Sequence, residues 1–447
     1  MESRTVSETP RSPVIGLLGP FGYGNLGDAA IQQSMIQAIG KKFPHAQIIG
    51  YSMNPKDTEA RHHIKAYPLT RVLEADDSET GTTAPRKNWI QRLSWQLVHH
   101  PNRFVRAAEQ IVVRVPTELG LMYRAYQHLR GLDVLIVSGG GQLDDLWGGP
   151  WKHPYALYKF SLLARLQKIE VMIVSVGYEG VTTFFGKAFV KGTLDRAMYR
   201  SYRDLRSKQE LARLGLDARP TSRVYPDLAH SLDIGPQPAA KAFDAQAPVV
   251  GLNIVSYFDP KFWPLKDPAV YQQYLAKIVD FAAWLIRANY RIILIRSDIY
   301  LDMSAIADAM QMLKRTGLPI RDQQIIEPEI NTVEDLIDNL NRVDLVVASR
   351  LHTVLLSMRV SKPVLALSFG SKIDMLMQDT GLAEYCLPIG TFAPAALLQS
   401  FSALQAHRVE IAEQLSRRSQ AYRAALNEQY ATIFQHVAGR RADHQPA

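Results

Sequence analysis

The chain has 447 residues, 47% of them hydrophobic and 21% charged, which is enough for two separate cores and excludes a largely disordered protein. Its 51 Lys and Arg against 43 Asp and Glu leave +8, an excess that favours anionic ligands or an anionic surface. No zinc-finger spacing, RNP-like aromatic motif or lysine-rich tail accompanies that charge, so nucleic acid is not the expected partner; the single cysteine, Cys386, excludes a disulfide framework and a multi-thiolate metal site.

The polar opening from Met1 to Pro13 has no apolar run, so neither a secretory signal nor a membrane anchor is expected, and the expected location is the cytoplasm. Val14 to Leu18 reads as a buried strand running into Gly19-Pro20-Phe21-Gly22-Tyr23-Gly24-Asn25-Leu26-Gly27-Asp28, with a helical pattern from Ala29 to Ile39. Glycines let backbone approach a ligand and the free N–H groups of a helix start favour an anion, so Gly24, Asn25, Gly27 and Asp28 are candidate substrate contacts. The spacing is neither the dinucleotide fingerprint nor a P-loop. Asp28 reads first as a helix cap and second as a group with chemistry of its own.

Gln47 to Tyr51 returns as strand, and a basic insertion then occupies about 55–130. Between Glu79 and Glu109 it has no carboxylate, while Arg86, Lys87, Arg92, Arg103 and Arg106 alternate with Trp89, Trp95, Phe104 and other apolar residues. The first reading is a helical hairpin packed on its own domain; the second is a face resting on anionic lipid, which would put the protein at the inner face of the membrane. Asp133 to Ser138 is a strand ending in Gly139-Gly140-Gly141, where open α/β sheets place ligands, so these glycines, Asp144 and His153 are candidates for the cleft. Asp144 and Asp145 lack a third ligand at metal spacing, so no metal is expected.

Helix from Tyr155 to Gln167 and strand from Val171 to Val176 continue a βαβ rhythm, which Gly235-Pro236-Gln237-Pro238 through Pro248 interrupts as a linker would. The expected domains are 1–240 and 248–447. In the second, strands at Val249 to Val255, Arg291 to Arg296, Leu345 to Ala348 and Val364 to Ser368 alternate with helices, and Ala395 to His436 closes the chain as helix. The strand before Ser349 ends in Arg350-Leu351-His352; arginine grips phosphate or carboxylate and histidine titrates near neutrality, a pair suited to an anionic substrate needing a proton. On residue type alone, an arginine holding a local carboxylate beside a capping histidine reads equally well.

Together these segments resemble the polysaccharide pyruvyltransferase family, from about Val14 to Leu382. The likeness rests on Gly22 to Asp28, the Asp133 to Gly141 strand and turn, Arg203-Asp204 with Ser207, Asp227, Ser349-Arg350-Leu351-His352, Lys362-Pro363 and Lys372. It departs at Ala29, where an acidic residue is usual, and at Thr353, where glycine or alanine is common. The resemblance implies two Rossmann-like domains facing a cleft, similar to B-type glycosyltransferases. It also implies phosphoenolpyruvate as co-substrate, a pyruvate ketal formed across two sugar hydroxyls, and release of phosphate, with no further cofactor. The implied acceptor is an exopolysaccharide sugar or its lipid-linked precursor. Arg350 and His352 then face the donor and Arg203 joins them. Lys372 completes the anion site or is an ordinary surface lysine, and Asp28 or Asp144 serves the acceptor hydroxyls. Two rivals remain at this level: a nucleotide-sugar glycosyltransferase of the same shape, and a non-catalytic polysaccharide-assembly partner.

Overall fold

The computed structural model describes residues 12–70, 115–146, 148–217, 219–236, 243–244, 246–263 and 265–442. The basic stretch between Glu79 and Glu109 lies outside them.

The first half supplies strands β1 (Val14–Leu18), β2 (Gln47–Ser52), β3 (Lys65–Pro68), β4 (Val134–Ser138), β5 (Leu143–Asp144), β6 (Glu170–Val176), β7 (Tyr178–Gly180), β8 (Tyr199–Tyr202) and β9 (Arg223–Val224). Seven form a sheet in the order β3-β2-β1-β4-β6-β8-β9, and β5 pairs with β7 apart from it. Its helices are α1 (Leu26–Lys42), α2 (Pro55–His62), α3 (Val115–Leu129), α4 (His153–Leu166), α5 (Phe184–Arg196) and α6 (Leu205–Arg213). The second half carries β10 (Val249–Asn253), β11 (Arg291–Ile295), β12 (Ile325–Ile326), β13 (Leu345–Ala348), β14 (Val364–Ser368) and β15 (Cys386–Pro388), ordered β12-β11-β10-β13-β14-β15. With it come α7 (Pro268–Arg287), α8 (Leu301–Arg315), α9 (Val333–Arg342), α10 (Leu351–Arg359), α11 (Ser371–Asp379), α12 (Pro394–Ala406) and α13 (Arg408–Ala442).

Every described pairing between these strands is parallel, with Ile15 opposite Ile48 and Val134, and Leu252 opposite Leu294 and Val347. Parallel strands covered by helices on both faces must be apolar throughout, and β1, β4, β10 and β14 are buried at every position. The strand order reverses between β1 and β4 and again between β10 and β13, and the crevices at these two switch points face each other. The expected pair of Rossmann-like domains is the architecture observed.

One hydrophobic core runs through both halves, joining Ile15 and Leu17 of β1 and Leu26, Ile31 and Met35 of α1 to Leu252, Val347 and Leu355. Fully buried aliphatic side chains contribute about 1.5–3 kcal/mol each, so this shared core holds the two sheets in one body. The opposite face of the first sheet has its own core around Leu18, Val137, Phe160 and Val190. Near its start α13 packs on the second half, where Arg418 Nη2 donates to Asp379 at 2.8 Å. Farther along it reaches back to the first: the Gln429 amide donates to Ser201 Oγ at 2.6 Å and accepts from Ser175 Oγ at 3.1 Å, and Phe434 packs edge-on against Phe43 at 5.6 Å. No described helix is long and apolar enough to cross a membrane.

Candidate active site

The loops leaving β1, β4, β10 and β13 meet between the sheets. Asn253 ends β10, and its side-chain oxygen accepts the N–H groups of Ser349 and Arg350 at 3.2 and 3.0 Å, fixing the turn into α10. Arg350 Nε donates to Asp302 Oδ1 at 2.8 Å, and Nη2 lies 2.8 Å from the same oxygen and 3.7 Å from Asp298 Oδ2. Burial opposes the charge on Arg350, but the two carboxylates outweigh it and hold the guanidinium's pKa above its usual value. Asp302 is fully buried and also accepts the N–H groups of Ser297 and Asp298, so it organises the whole turn.

His352 lies in the first turn of α10, pressed against the first turn of α1. A Cβ on Gly27 would fall 1.9 Å from His352 Nδ1, so the imidazole fits only because position 27 is glycine. Its Nε2 lies 3.7 Å from Asp227 Oδ2, an ion-pair rather than a hydrogen-bond distance. Asp227 caps the short 3-10 turn Leu228–Ser231 through its other oxygen, which accepts from Ala229 N at 3.0 Å. Burial pushes the Asp227 carboxyl up, yet His352 and then Arg203 outweigh that and hold it well below the usual carboxylate range. Asp28 shows the opposite balance: burial outweighs the attraction of His352, Lys372 and Arg203 and raises it from 3.8 to about 6.

Two cations complete the cluster. Arg203 Nη2 donates to Glu179 Oε1 at 3.0 Å and Nη1 lies 3.6 Å from Asp227, while Lys372, from the other half of the molecule, donates to both oxygens of Glu179 at 3.1 and 3.2 Å. Burial would raise Glu179, but Lys372 and Arg203 hold it below its ordinary value. Glycines make room here also: a Cβ on Gly141 would come within 2.3 Å of Glu179 Oε1, and one on Gly177 within 2.4 Å of Arg203 Nε. A cavity of about 380 Å³ lies on one side of this pair, reaching to Tyr422 of α13; another of about 280 Å³ lies on the other, walled by Trp263 and Phe369. Both cavities include Arg203 and Lys372 in their lining.

The structure thus brings Gly27, Asp28, Gly140, Gly141, Arg203, His352 and Lys372 together, with Gly140 beside the Asp28 carboxylate. It places the other candidates differently. Gly139 takes φ +53 and packs on Ile31, Gly24 takes φ +72 and packs on Tyr300, and Asp144 on β5 accepts from Leu146 N at 3.1 Å. His153, at the start of α4, has Nε2 3.2 Å from the Gln142 oxygen, and lost hydration pushes it down to about 4.

One expectation is corrected. The N–H groups at the start of α1 do not face a ligand: Leu26 donates to Ser297 O at 2.8 Å, Gly27 and Asp28 to the Asn25 side chain at 3.0 and 3.3 Å, and Ala29 to Asn25 O at 3.1 Å. Asn25, not Asp28, is the cap, which leaves the Asp28 carboxyl to the cleft. Sequence reasoning missed Glu179, and it noted Asp227 without giving it a role. The signal for Glu179 was Gly141, a glycine beyond a strand end that marks a close approach. Among the described residues no group of three or more His, Cys, Asp or Glu can hold a metal ion.

Solved structures with the same chain path define the class. A Listeria monocytogenes protein described as a UDP-N-acetylglucosamine 2-epimerase aligns over 98% of this chain and 99% of its own, at 11% identity and TM-score 0.55. The Neisseria meningitidis UDP-GlcNAc 2-epimerase bound to UDP-GlcNAc aligns over 95% and 100%, at 12% identity and TM-score 0.54. Anabaena HepE in complex with UDP aligns over 95% and 100%, at 12% and 0.52. Such identities speak for the fold alone, and that fold is the two-domain architecture of B-type glycosyltransferases and epimerases. Within it the sequence is more specific. The polysaccharide pyruvyl transferase family matches residues 25–371, and the chain belongs to that family.

Proposed function

We propose that the protein transfers the pyruvyl group of phosphoenolpyruvate to two hydroxyls of one sugar in a surface polysaccharide or its lipid-linked precursor, forming a cyclic ketal and releasing phosphate. The observation that carries this reading is the convergence of Arg203 and Lys372, from opposite halves of the molecule, on the single carboxylate of Glu179, with Arg203 also 3.6 Å from the Asp227 carboxylate that faces His352 at 3.7 Å. In the free protein Glu179 holds the position that an anionic group of the donor would take. Two buried polar atoms close by, His352 Nε2 and Asp227 Oδ2, face each other at 3.7 Å with no hydrogen bond among the described residues, and buried polar atoms of this kind suit a ligand.

In the proposed reaction Arg203, Lys372 and Arg350 orient the carboxylate and phosphate of the donor and offset their charge. Protonated His352, held beside the Asp227 carboxylate, gives its proton to the methylene carbon, which becomes the methyl group, and C2 becomes oxocarbenium-like. The first hydroxyl forms its bond to C2 while Asp28 accepts its proton. The C2–O bond to phosphate then breaks, phosphate departs with the electron pair, and the second hydroxyl closes the ketal as its proton passes to His352, restoring the imidazolium. Asp28, with a carboxyl near 6, can hold and release a proton at neutral pH.

The test is phosphate release from phosphoenolpyruvate over a panel of soluble and lipid-linked oligosaccharides, with His352→Gln and Asp28→Asn as folded controls. Acceptor-dependent release that both variants lose supports the reading. If no acceptor releases phosphate, and a nucleotide sugar stabilises the protein against heat while phosphoenolpyruvate does not, the donor assignment fails and glycosyl transfer replaces it.

A further inference from the structure

Away from the cleft floor, aromatic rings gather at the start of α4 and the first turn of α5. Trp151 is 59% exposed, Phe184 80% and Phe185 50%. They form one patch: Trp151 lies 5.3 Å from Phe185 and 5.2 Å from Phe189, and Phe184 lies 5.6 Å from Phe185. Soluble proteins seldom leave rings in contact with one another facing water, and such patches mark a surface that meets something.

The charges that flank the rings on α4 and α5 are basic, while the acids nearby are engaged: Asp145 holds Thr182 and Thr183, and Glu118 pairs with Lys159 at 2.9 Å. Lys152 is exposed beside Trp151 and Lys187 lies one turn into α5. Helix α4 has no carboxylate at all; α5 has only Asp195, at its far end, where it pairs with Lys191 at 2.9 Å. Exposed aromatics interleaved with lysines are the composition that settles at the boundary between acyl chains and anionic headgroups.

The patch is also fastened to the active site. Asp145 accepts the N–H groups of Thr182 and Thr183 at 3.0 and 2.9 Å and the Thr183 hydroxyl at 2.6 Å, which bolts the start of α5 to the loop after the three glycines. The next residue, Leu146, is exposed and lines the smaller cavity together with Glu179. Whatever the rings sink into therefore lies at the mouth of the cleft.

We propose that Trp151, Phe184 and Phe185, flanked by Lys152 and Lys187, dock the protein on an anionic lipid bilayer and hold the cleft mouth at its surface. Charge selects this occupant over the others. A second copy joined by the same face would bring Lys152 and Lys187 toward their own equivalents. The chain's own segment 71–114 carries seven Lys or Arg against five Asp or Glu, a net basic charge that does not complement the two lysines.

Vesicle flotation of the full chain tests the proposal without any substrate, so it stands or falls separately from the pyruvyl reading. Vesicles rich in phosphatidylglycerol should carry the protein and pure phosphatidylcholine should not. The combined Trp151→Ser, Phe184→Ser, Phe185→Ser variant alters only surface rings and should keep its melting temperature while partitioning about tenfold more weakly. Lys152→Glu with Lys187→Glu should lose the preference for anionic lipid, again by about tenfold. The proposal is overturned if the natural protein floats with neither vesicle, or if both variants float as it does. It is equally overturned if light scattering finds a dimer that the ring substitutions convert to monomer.

Discussion

Replacing Asp28 by asparagine should make the protein more stable, by an amount that grows with pH. In the folded protein this carboxyl titrates near 6, against 3.8 for an unperturbed side chain. A raised acid binds its proton more tightly in the folded state, so folding is penalised once the group must ionise. The penalty is absent below about pH 4, builds between the two values and is complete above about pH 6. Its full size, 2.303RT multiplied by the shift, is about 3 kcal/mol. Asparagine cannot ionise, so Asp28→Asn should gain that margin over the natural protein as pH rises from 4 to 7. For a chain of this length the margin corresponds to about 3 °C in melting temperature. Paired thermal melts across that pH range provide the assay. In parallel, turnover by the natural protein should rise with pH through about 6, and the variant should lose that limb together with about 100-fold or more in rate. A stability difference that stays flat from pH 4 to 7 would refute the reasoning, and with it the assignment of Asp28 as proton acceptor.

Glu179→Gln should remove the carboxylate that Arg203 and Lys372 share, leaving Arg203 only the longer 3.6 Å pairs with Asp204 and Asp227. Its melting temperature should drop in phosphate-free buffer, reflecting a loss of about 1–3 kcal/mol, and recover when inorganic phosphate is added, while less phosphoenolpyruvate is needed for half-saturation. Asp302→Ala should cost about 3–5 kcal/mol in urea titration, because it strands the Arg350 charge and the N–H groups of Ser297 and Asp298. Gly27→Ala pushes a methyl group into the His352 ring, so acceptor-dependent phosphate release should fall by about 100-fold while the far-ultraviolet circular dichroism is unchanged.

The strands could be read from sequence because both faces of each central sheet are covered, so β1, β4, β10 and β14 appear as runs of apolar residues and glycine up to the polar residue that closes the last three. The turn residues were legible for a similar reason: a glycine cluster after a strand has few purposes, and Gly27 and Gly141 prove to be spaces for a histidine and a carboxylate. What stayed hidden depends on distance along the chain. Glu179 sits on a three-residue strand with no local pattern, and its meaning comes from Lys372, 193 positions away. Asp302 likewise looks like an ordinary acid in the first turn of α8 until Arg350 folds onto it from 48 positions downstream. Asn25 misled in the other direction. Its side chain takes two N–H groups that the glycine-rich turn alone would leave for an anion, and short-range hydrogen bonding of this kind competes with ligands at any helix start. Phe184 and Phe185 fit a buried helical face by hydropathy; only the tertiary arrangement turns them outward.

The path of α13 also limits how the cleft can open. The chain passes from one sheet to the other twice, once before β10 and again along α13, where the Gln429 amide is buried between Ser175 and Ser201. Two crossings join the halves beside the core that they share, so any parting of the cleft walls works against both. Two backbone hydrogen bonds, Leu26 to Ser297 and Ile299 to Gly24, tie the halves together a third time. Lys372 reaches Glu179 from the other half of the molecule, so its grip on that carboxylate depends on the two halves keeping their register.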